Sequence, residues 1–227
     1  TDAKMRNTKE SILEAQFTPG AGNWCTWMFG RDLVNWNNNF TWAKWVTPSR
    51  DLISTFKQEG DEVRFKESVV YYDCGWSNYY PSDNYPSMYK CRSANSSIIK
   101  YRYADVLLLK AEALIMQDTP DLEGAADIID EVRDRAKLGA LSSSTRSNKD
   151  ALLNALLKER RLELAFEGQR WFDLVRLDKV EEVMNAVHAK DSGRKAQVYT
   201  YDKNSYRLPI PQSVIDANDK IHQNPGY

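Results

Sequence analysis

The chain's 227 residues are enough for one domain with a full core, or for one and a half small ones. Its 31 Lys and Arg almost balance 32 Asp and Glu, for a net charge of -1, which removes any electrostatic case for nucleic acid or an anionic bilayer as partner. No apolar run approaches membrane-spanning length. The three cysteines, Cys25, Cys74 and Cys91, show no Cys-x-x-Cys spacing and no neighbouring His cluster, so no zinc site and no cofactor are expected.

Residues 1–10 are polar. Ser11–Thr18 takes on a short apolar alternation suited to a strand, ended by Pro19-Gly-Ala-Gly. From Trp24 to Trp45 lie five of the seven tryptophans (Trp24, Trp27, Trp36, Trp42, Trp45), with Phe29, Phe40 and asparagines at 37–39. Neither a helical nor an alternating period runs through them, and Asn and Gly point to loops. These indoles have two readings. They pin a long loop onto the helices, or they form an open platform on which a ligand ring stacks.

Residues 46–70 read as a short helix with Pro48 at its start and Leu52, Ile53 and Phe56 inward, followed by an extended Arg64–Tyr72. Segment 71–91 is again aromatic (Tyr71, Tyr72, Trp76, Tyr79, Tyr80, Tyr85, Tyr89) and rich in turn formers, which predicts a second surface loop.

The stretch from Tyr101 to Asp178 is helical by its periodicity. Tyr101–Ala113 is apolar almost all round, as in a helix covered by neighbours. A second helix follows Asp118-Thr-Pro-Asp, with Thr119 as N-cap and Leu122, Ala125, Ala126, Ile129, Val132 and Ala136 on one stripe. The pair resembles a tetratricopeptide unit, with Ala113 and Ala125 at the small positions. A third helix opens at Ser147–Asp150 and carries Leu152, Leu153, Leu156 and Leu157. Its apolar line then meets Arg160, a charge that needs a partner, and Glu163 and Glu167 are placed to supply one. Glu163, Glu167 and Asp173 read either as an acid–base site or as a salt-bridge lattice between helices. The neighbouring arginines favour the lattice, because they keep carboxylates ionised. Gly168 ends this helix, and a shorter one carries Trp171, Phe172 and Leu174. Lys179–Ala189 is a short amphipathic helix, and Leu208-Pro-Ile-Pro leads into a last one.

Arg102-Tyr-Ala-Asp-Val-Leu-Leu-Leu-Lys-Ala-Glu-Ala, Glu159-Arg-Arg-Leu-Glu-Leu-Ala-Phe-Glu-Gly-Gln-Arg-Trp-Phe-Asp-Leu, Leu208-Pro-Ile-Pro and the closing Gln223-Asn-Pro-Gly-Tyr, in that order, resemble the C-terminal half of the SusD/RagB family. The resemblance covers residues 101–227. Pro48–Phe56 and Gly60–Phe65 resemble the segment upstream. It implies a mainly α fold, a SusD-like α-superhelix of tetratricopeptide-like hairpins with long aromatic-rich loops and a few short strands. Residues 1–100 would form a loop-rich aromatic segment and 101–227 the helical C-terminal region, together one compact unit and a fragment of a longer chain. The family resemblance further implies an outer-membrane lipoprotein, anchored through an N-terminal lipid and facing outward. It would capture oligosaccharide or polysaccharide for a SusC-like TonB-dependent transporter.

The residues argue against an enzyme: there is no Gly-rich phosphate loop, no nucleophile elbow and no His–Glu metal motif, and His188 and His222 stand apart. Asp73 and Asp83 could be cast as a glycosidase pair, but hydrogen bonding to sugar hydroxyls is the ordinary use of such acids. A pyranose offers a flat C–H face for stacking and hydroxyls that need fixed donors and acceptors. By composition, the stacking candidates are Trp24, Trp27, Trp42, Trp45 and Trp76, and the hydrogen-bonding candidates are Asn37, Asn38, Asp83 and Asn84. A tetratricopeptide-like scaffold for protein partners, with the aromatics as interface anchors, is the alternative.

Overall fold

The computed structural model describes residues 7–17, 47–72, 85–90, 97–191 and 200–227; for Tyr72, His188 and Asp191 it describes the backbone alone. The chain divides into two compact units, Thr1–Gln169 and Arg170–Tyr227. Most described residues are helical, and the strands are few and short.

The helical core of the first unit is a hairpin, α3 (Tyr103–Met116) and α4 (Leu122–Arg135), packed with α6 (Lys149–Glu163). Leu108, Ala111, Ile115, Ala125, Ala126, Ile129, Leu152 and Leu156 are all fully buried in one cluster. Side chains reduced to a methyl at Ala111, Ala125 and Ala126 let the helices approach closely, and Leu and Ile fill the remaining volume. The small position on α3 is therefore Ala111. Ala113, chosen by the twelve-residue spacing, lies two residues on, about 200° round the helix, and faces solvent.

Helix starts differ from expectation for local reasons. Asp121, not Thr119, caps α4 by accepting from the Gly124 N–H at 2.9 Å. Asn148 caps α6, accepting from Ala151 N–H at 2.9 Å, and a one-turn helix, α5 (Ser143–Arg146), stands before it. Tyr101 and Arg102 are not helical but complete a strand, β4 (Ile98–Arg102). Nor is α3 covered all round, for Tyr103, Val106 and Met116 are each at least 42% exposed.

Helix α1 (Arg50–Glu59) is capped by Ser49 and stopped by Gly60, whose φ of 68° suits a residue without Cβ. Its Leu52 and Phe56 pack on Leu162 and Ala165 in a second cluster. The Arg64–Ser68 stretch, expected to be extended, is helical instead. Asp61 caps α2 (Glu62–Ser68) through the Arg64 N–H, and the strand β2 begins only at Val69 (Val69–Tyr72). The loop expected over 71–91 contains a strand, β3 (Tyr85–Met88), antiparallel to β2 with Val69 opposite Met88 and Tyr72 opposite Tyr85. Pro86 is tolerated because a two-stranded ribbon consists of edges. The second ribbon pairs β1 (Ser11–Ala15) with β4, Ser11 opposite Arg102 and Ala15 opposite Ile98.

The second unit holds α7 (Arg170–Arg176), α8 (Val180–Asp191), a 3-10 turn (Lys203–Tyr206) and α9 (Gln212–Ala217). Here the Leu208-Pro-Ile-Pro and Gln223-Asn-Pro-Gly-Tyr motifs meet. Gln223 accepts from Ile210 N–H at 2.8 Å and donates to Ile210 O at 2.9 Å, while Asn224 donates to Leu208 O at 2.6 Å. Side-chain amides thus satisfy an extended, proline-flanked backbone that has no strand partner of its own. Gly226, at φ 94°, lies so close to Asn204 that an added Cβ would sit 2.7 Å from its side chain.

Leu156→Ala should cost about 3 kcal/mol, the transfer and cavity cost of a fully buried leucine. Urea unfolding followed by circular dichroism checks this, and a loss under about 1 kcal/mol would mean that the three-helix core is not tightly packed.

Candidate functional site

None of the nine composition-based sugar candidates falls within the described residues. Trp24, Trp27, Asn37, Asn38, Trp42 and Trp45 lie in 18–46, and Trp76, Asp83 and Asn84 in 73–84. The three cysteines and Asp73 also lie outside them. What the structure does show is the support at the edges of these segments, and that support is ionic.

The C-terminal turn of α6 places Glu159, Arg160 and Glu163 in the interior, where they are 1%, 1% and 3% exposed. Such charges persist in a dry setting only when each is paired. Arg160, expected to pair with Glu163 or Glu167, lies against Asp105 in the first turn of α3, Nη2 to Oδ1 at 2.9 Å. The contact is an ion pair without the alignment of a hydrogen bond. Glu163 is shared by three guanidinium groups: Arg102 at 2.6 Å, Arg64 at 3.1 Å and Arg135. Arg102 also binds Glu167 at 2.7 Å and Glu10 at 2.9 Å, and it donates to the Glu163 backbone carbonyl at 2.8 Å. Glu159 receives Arg64 at 2.6 Å and Arg133 at 3.3 Å. Lys90 completes the lattice, 2.5 Å from Glu167 and donating to Glu163 O at 2.7 Å.

Two of the sequence motifs therefore interlock reciprocally. Arg102 and Asp105, three residues apart, meet Glu163 and Arg160, also three residues apart. Sequence reading identified the charged line on α6 but missed Arg64, Lys90, Arg102, Arg133 and Arg135 as its partners. For Arg102 and Asp105 one signal existed: two charges flanking the start of an otherwise apolar helix.

The electrostatics favour structure over acid–base chemistry. Burial pushes Glu163 up, but Arg102 and Arg135 outweigh it and hold the carboxyl down, to about 2. At Glu167 burial is likewise outweighed by Lys90 and Arg102, and the net shift is downward. At Glu159 burial wins over Arg64 and Arg133, and the shift is upward. Asp173, in the second unit, pairs with Arg176 at 2.9 Å. A carboxylate locked between arginines is a poor proton donor or acceptor near neutral pH, so Glu163 and Glu167 serve as counter-charges. No group of three or more His, Cys, Asp or Glu among the described residues could hold a metal ion, and no described helix is long and apolar enough to cross a membrane.

Comparison with known proteins gives consistent results. "SusD-like protein P38" of Formosa agariphila is 41% identical over 139 residues, which is 59% of this chain and 25% of that protein. A solved structure named a laminarin binding SusD-like protein superposes with a TM-score of 0.65 at 26% identity, covering 99% of this chain and 51% of that one. The surface glycan-binding protein A from Bacteroides thetaiotaomicron, solved in complex with laminarihexaose, superposes at 0.67 over 95% of this chain and 52% of that one. At 20% identity, it shows a shared fold. This chain spans about half the length of these solved relatives.

The stabilisation that Glu163 supplies depends on pH. Its carboxyl is lowered on folding, so its contribution is full above the unfolded value of 4.5 and is lost as pH falls toward about 2. Glu163→Gln should therefore cost about 3 kcal/mol at pH 7, and the gap to the unsubstituted protein should narrow steadily below pH 4.5. Urea titrations at several pH values measure it; a gap independent of pH would show that the charge is not what stabilises.

The SusD family profile matches residues 77–227, well over half of the sequence, and this chain belongs to the SusD family.

Proposed function

We propose that this chain is part of a non-catalytic glycan-binding protein that captures oligosaccharide or polysaccharide at the outer face of an outer membrane. It hands the glycan to a SusC-like TonB-dependent transporter, and a lipid anchor at the N-terminus of the full-length protein holds it there. The observation that carries this reading is the likeness to the laminarin-binding relative, at 26% identity over 99% of the chain. Membership of the SusD family and the pairing of the buried Glu163 and of Glu167 with basic side chains both support a binding rather than a catalytic role.

On this reading Trp24, Trp27, Trp42, Trp45 and Trp76 stack on pyranose C–H faces, and Asn37, Asn38, Asp83 and Asn84 bind the hydroxyls. Stacking tolerates many hexoses, while the hydroxyl contacts select among them. No metal or cofactor takes part.

The experiment is a tryptophan-fluorescence titration with neutral oligosaccharides, laminarihexaose among them. A saturable change, lost when Trp42 and Trp45 are both replaced by Ala, is the expected result, with each stacking residue worth on the order of tenfold in affinity. Silence toward every glycan, together with tight binding of a peptide, would replace this reading by a protein-interaction scaffold.

A further inference from the structure

Segment 73–84 joins the described chain at both strands of the β2–β3 ribbon, while segment 18–46 joins it after β1 of the β1–β4 ribbon and before α1. An isolated two-stranded ribbon is marginal in water and needs something to lean on. Both lean on the end of α6. Residue Arg64, five positions before β2, binds Glu159 at 2.6 Å and Glu163 at 3.1 Å. Lys90, two positions past β3, binds Glu167 at 2.5 Å and the Glu163 carbonyl at 2.7 Å. Arg102, the last residue of β4, binds the Glu163 carboxylate at 2.6 Å and its carbonyl at 2.8 Å. Opposite it, Glu10 accepts from Arg102 at 2.9 Å and from the Ala104 N–H at 3.2 Å, which ties down the start of β1. The return end of 18–46 is held the same way, through Asp51 on α1 and Arg161 on α6 at 2.7 Å.

Glu163 joins the two ribbons, as Glu167 does through Lys90 and Arg102, and Glu163 is the more deeply buried of the two. Its carboxylate takes Arg64 from one side and Arg102 from the other, and its carbonyl takes Lys90 and Arg102. We propose that Glu163 is a positioning residue for glycan binding: it fixes the two ribbons relative to each other, and with them both ends of 73–84 and the start of 18–46. The proposal rests on the glycan-binding reading above. A glutamine in its place keeps the size of the side chain but cannot neutralise the guanidinium groups around it, so the ribbons would lose the deeper of their two common anchors while the leucine–alanine core of α3, α4 and α6 stays intact.

Hydrogen exchange on the glycan-free protein, compared between the unsubstituted chain, Glu163→Gln and Leu156→Ala, tests this. In Glu163→Gln, amides of Val69–Tyr72, Tyr85–Met88 and Ile98–Arg102 should exchange about tenfold faster or more, whereas in Leu156→Ala, which loses as much stability, they should stay within about twofold. Laminarihexaose affinity should fall about tenfold in Glu163→Gln and stay within about twofold in Leu156→Ala, although both variants lose stability. Equally faster exchange of the ribbon amides in both variants, or none in Glu163→Gln, overturns the proposal, as does an equal loss of affinity in both variants. Should Glu163→Gln not fold, Lys90→Met removes a more exposed part of the same anchor. Faster exchange confined to Tyr85–Met88 then supports the proposal, and unchanged exchange there overturns it. If laminarihexaose binds none of these proteins, the glycan reading fails for that sugar, and the exchange pattern alone decides whether Glu163 anchors the ribbons.

Discussion

A carboxylate buried to 3% exposure and surrounded by Arg64, Arg102 and Arg135 is the constraint on which the first unit depends. Neither sign could stay there alone, since a lone buried charge costs several kcal/mol. The charges are stable as a set because the geometry closes: guanidinium forks reach carboxylate oxygens, and leftover donors reach backbone carbonyls. The set is also demanding. Helix, ribbon and cap must all be in place before any member is satisfied, which makes the lattice a device for specifying one arrangement as much as a source of stability.

The rest of the unit follows from a division of labour. The hairpin of α3 and α4 with α6 is held by apolar burial, through Leu108, Ile115, Ile129 and Leu156 packed around three alanines. That core requires little from the ribbons. The ribbons, two strands each, cannot build a comparable core, so Glu10, Arg64, Lys90 and Arg102 fasten them to the final turn of α6 and to Glu167. In the second unit the same problem has a neutral solution, with Gln223 and Asn224 binding the proline-flanked backbone at Leu208 and Ile210. Motifs that look unrelated along the sequence become pairs in space: Arg102 and Asp105 with Glu163 and Arg160, and Leu208–Pro211 with Gln223–Tyr227.

Periodicity made the helical part legible. Leu122, Ala125, Ile129 and Val132 lie one turn apart and are partly or fully buried as their spacing requires, and the helix over Lys179–Ala189 appears as Val180–Asp191. What failed was local competition. Asp121 outcompetes Thr119 as a cap because its carboxylate reaches Gly124, and Asp61 similarly converts an alternating stretch into a helical turn. The β3 strand was hidden because Pro, Ser and Tyr resemble a turn until a partner strand is known. Arg160 could be recognised as a charge in need of a partner, but not paired, because Asp105 lies 55 residues away. The Glu163 partners were hidden for the same reason, with Arg64 separated by 99 residues and Arg102 by 61. The sugar candidates were chosen by chemical type alone, and residues 18–46 and 73–84 lie outside what the structure describes.

The ionic lattice stands only if the Glu163 carboxyl is held ionised inside the protein. Carbon-detected NMR of the glutamate side-chain carboxyl resonances, assigned with Glu163→Gln and followed from pH 7 downward, observes that state directly. The Glu163 resonance should stay in its ionised position through pH 4 and titrate only near 2. A midpoint at or above 4.5 in the folded protein would contradict it.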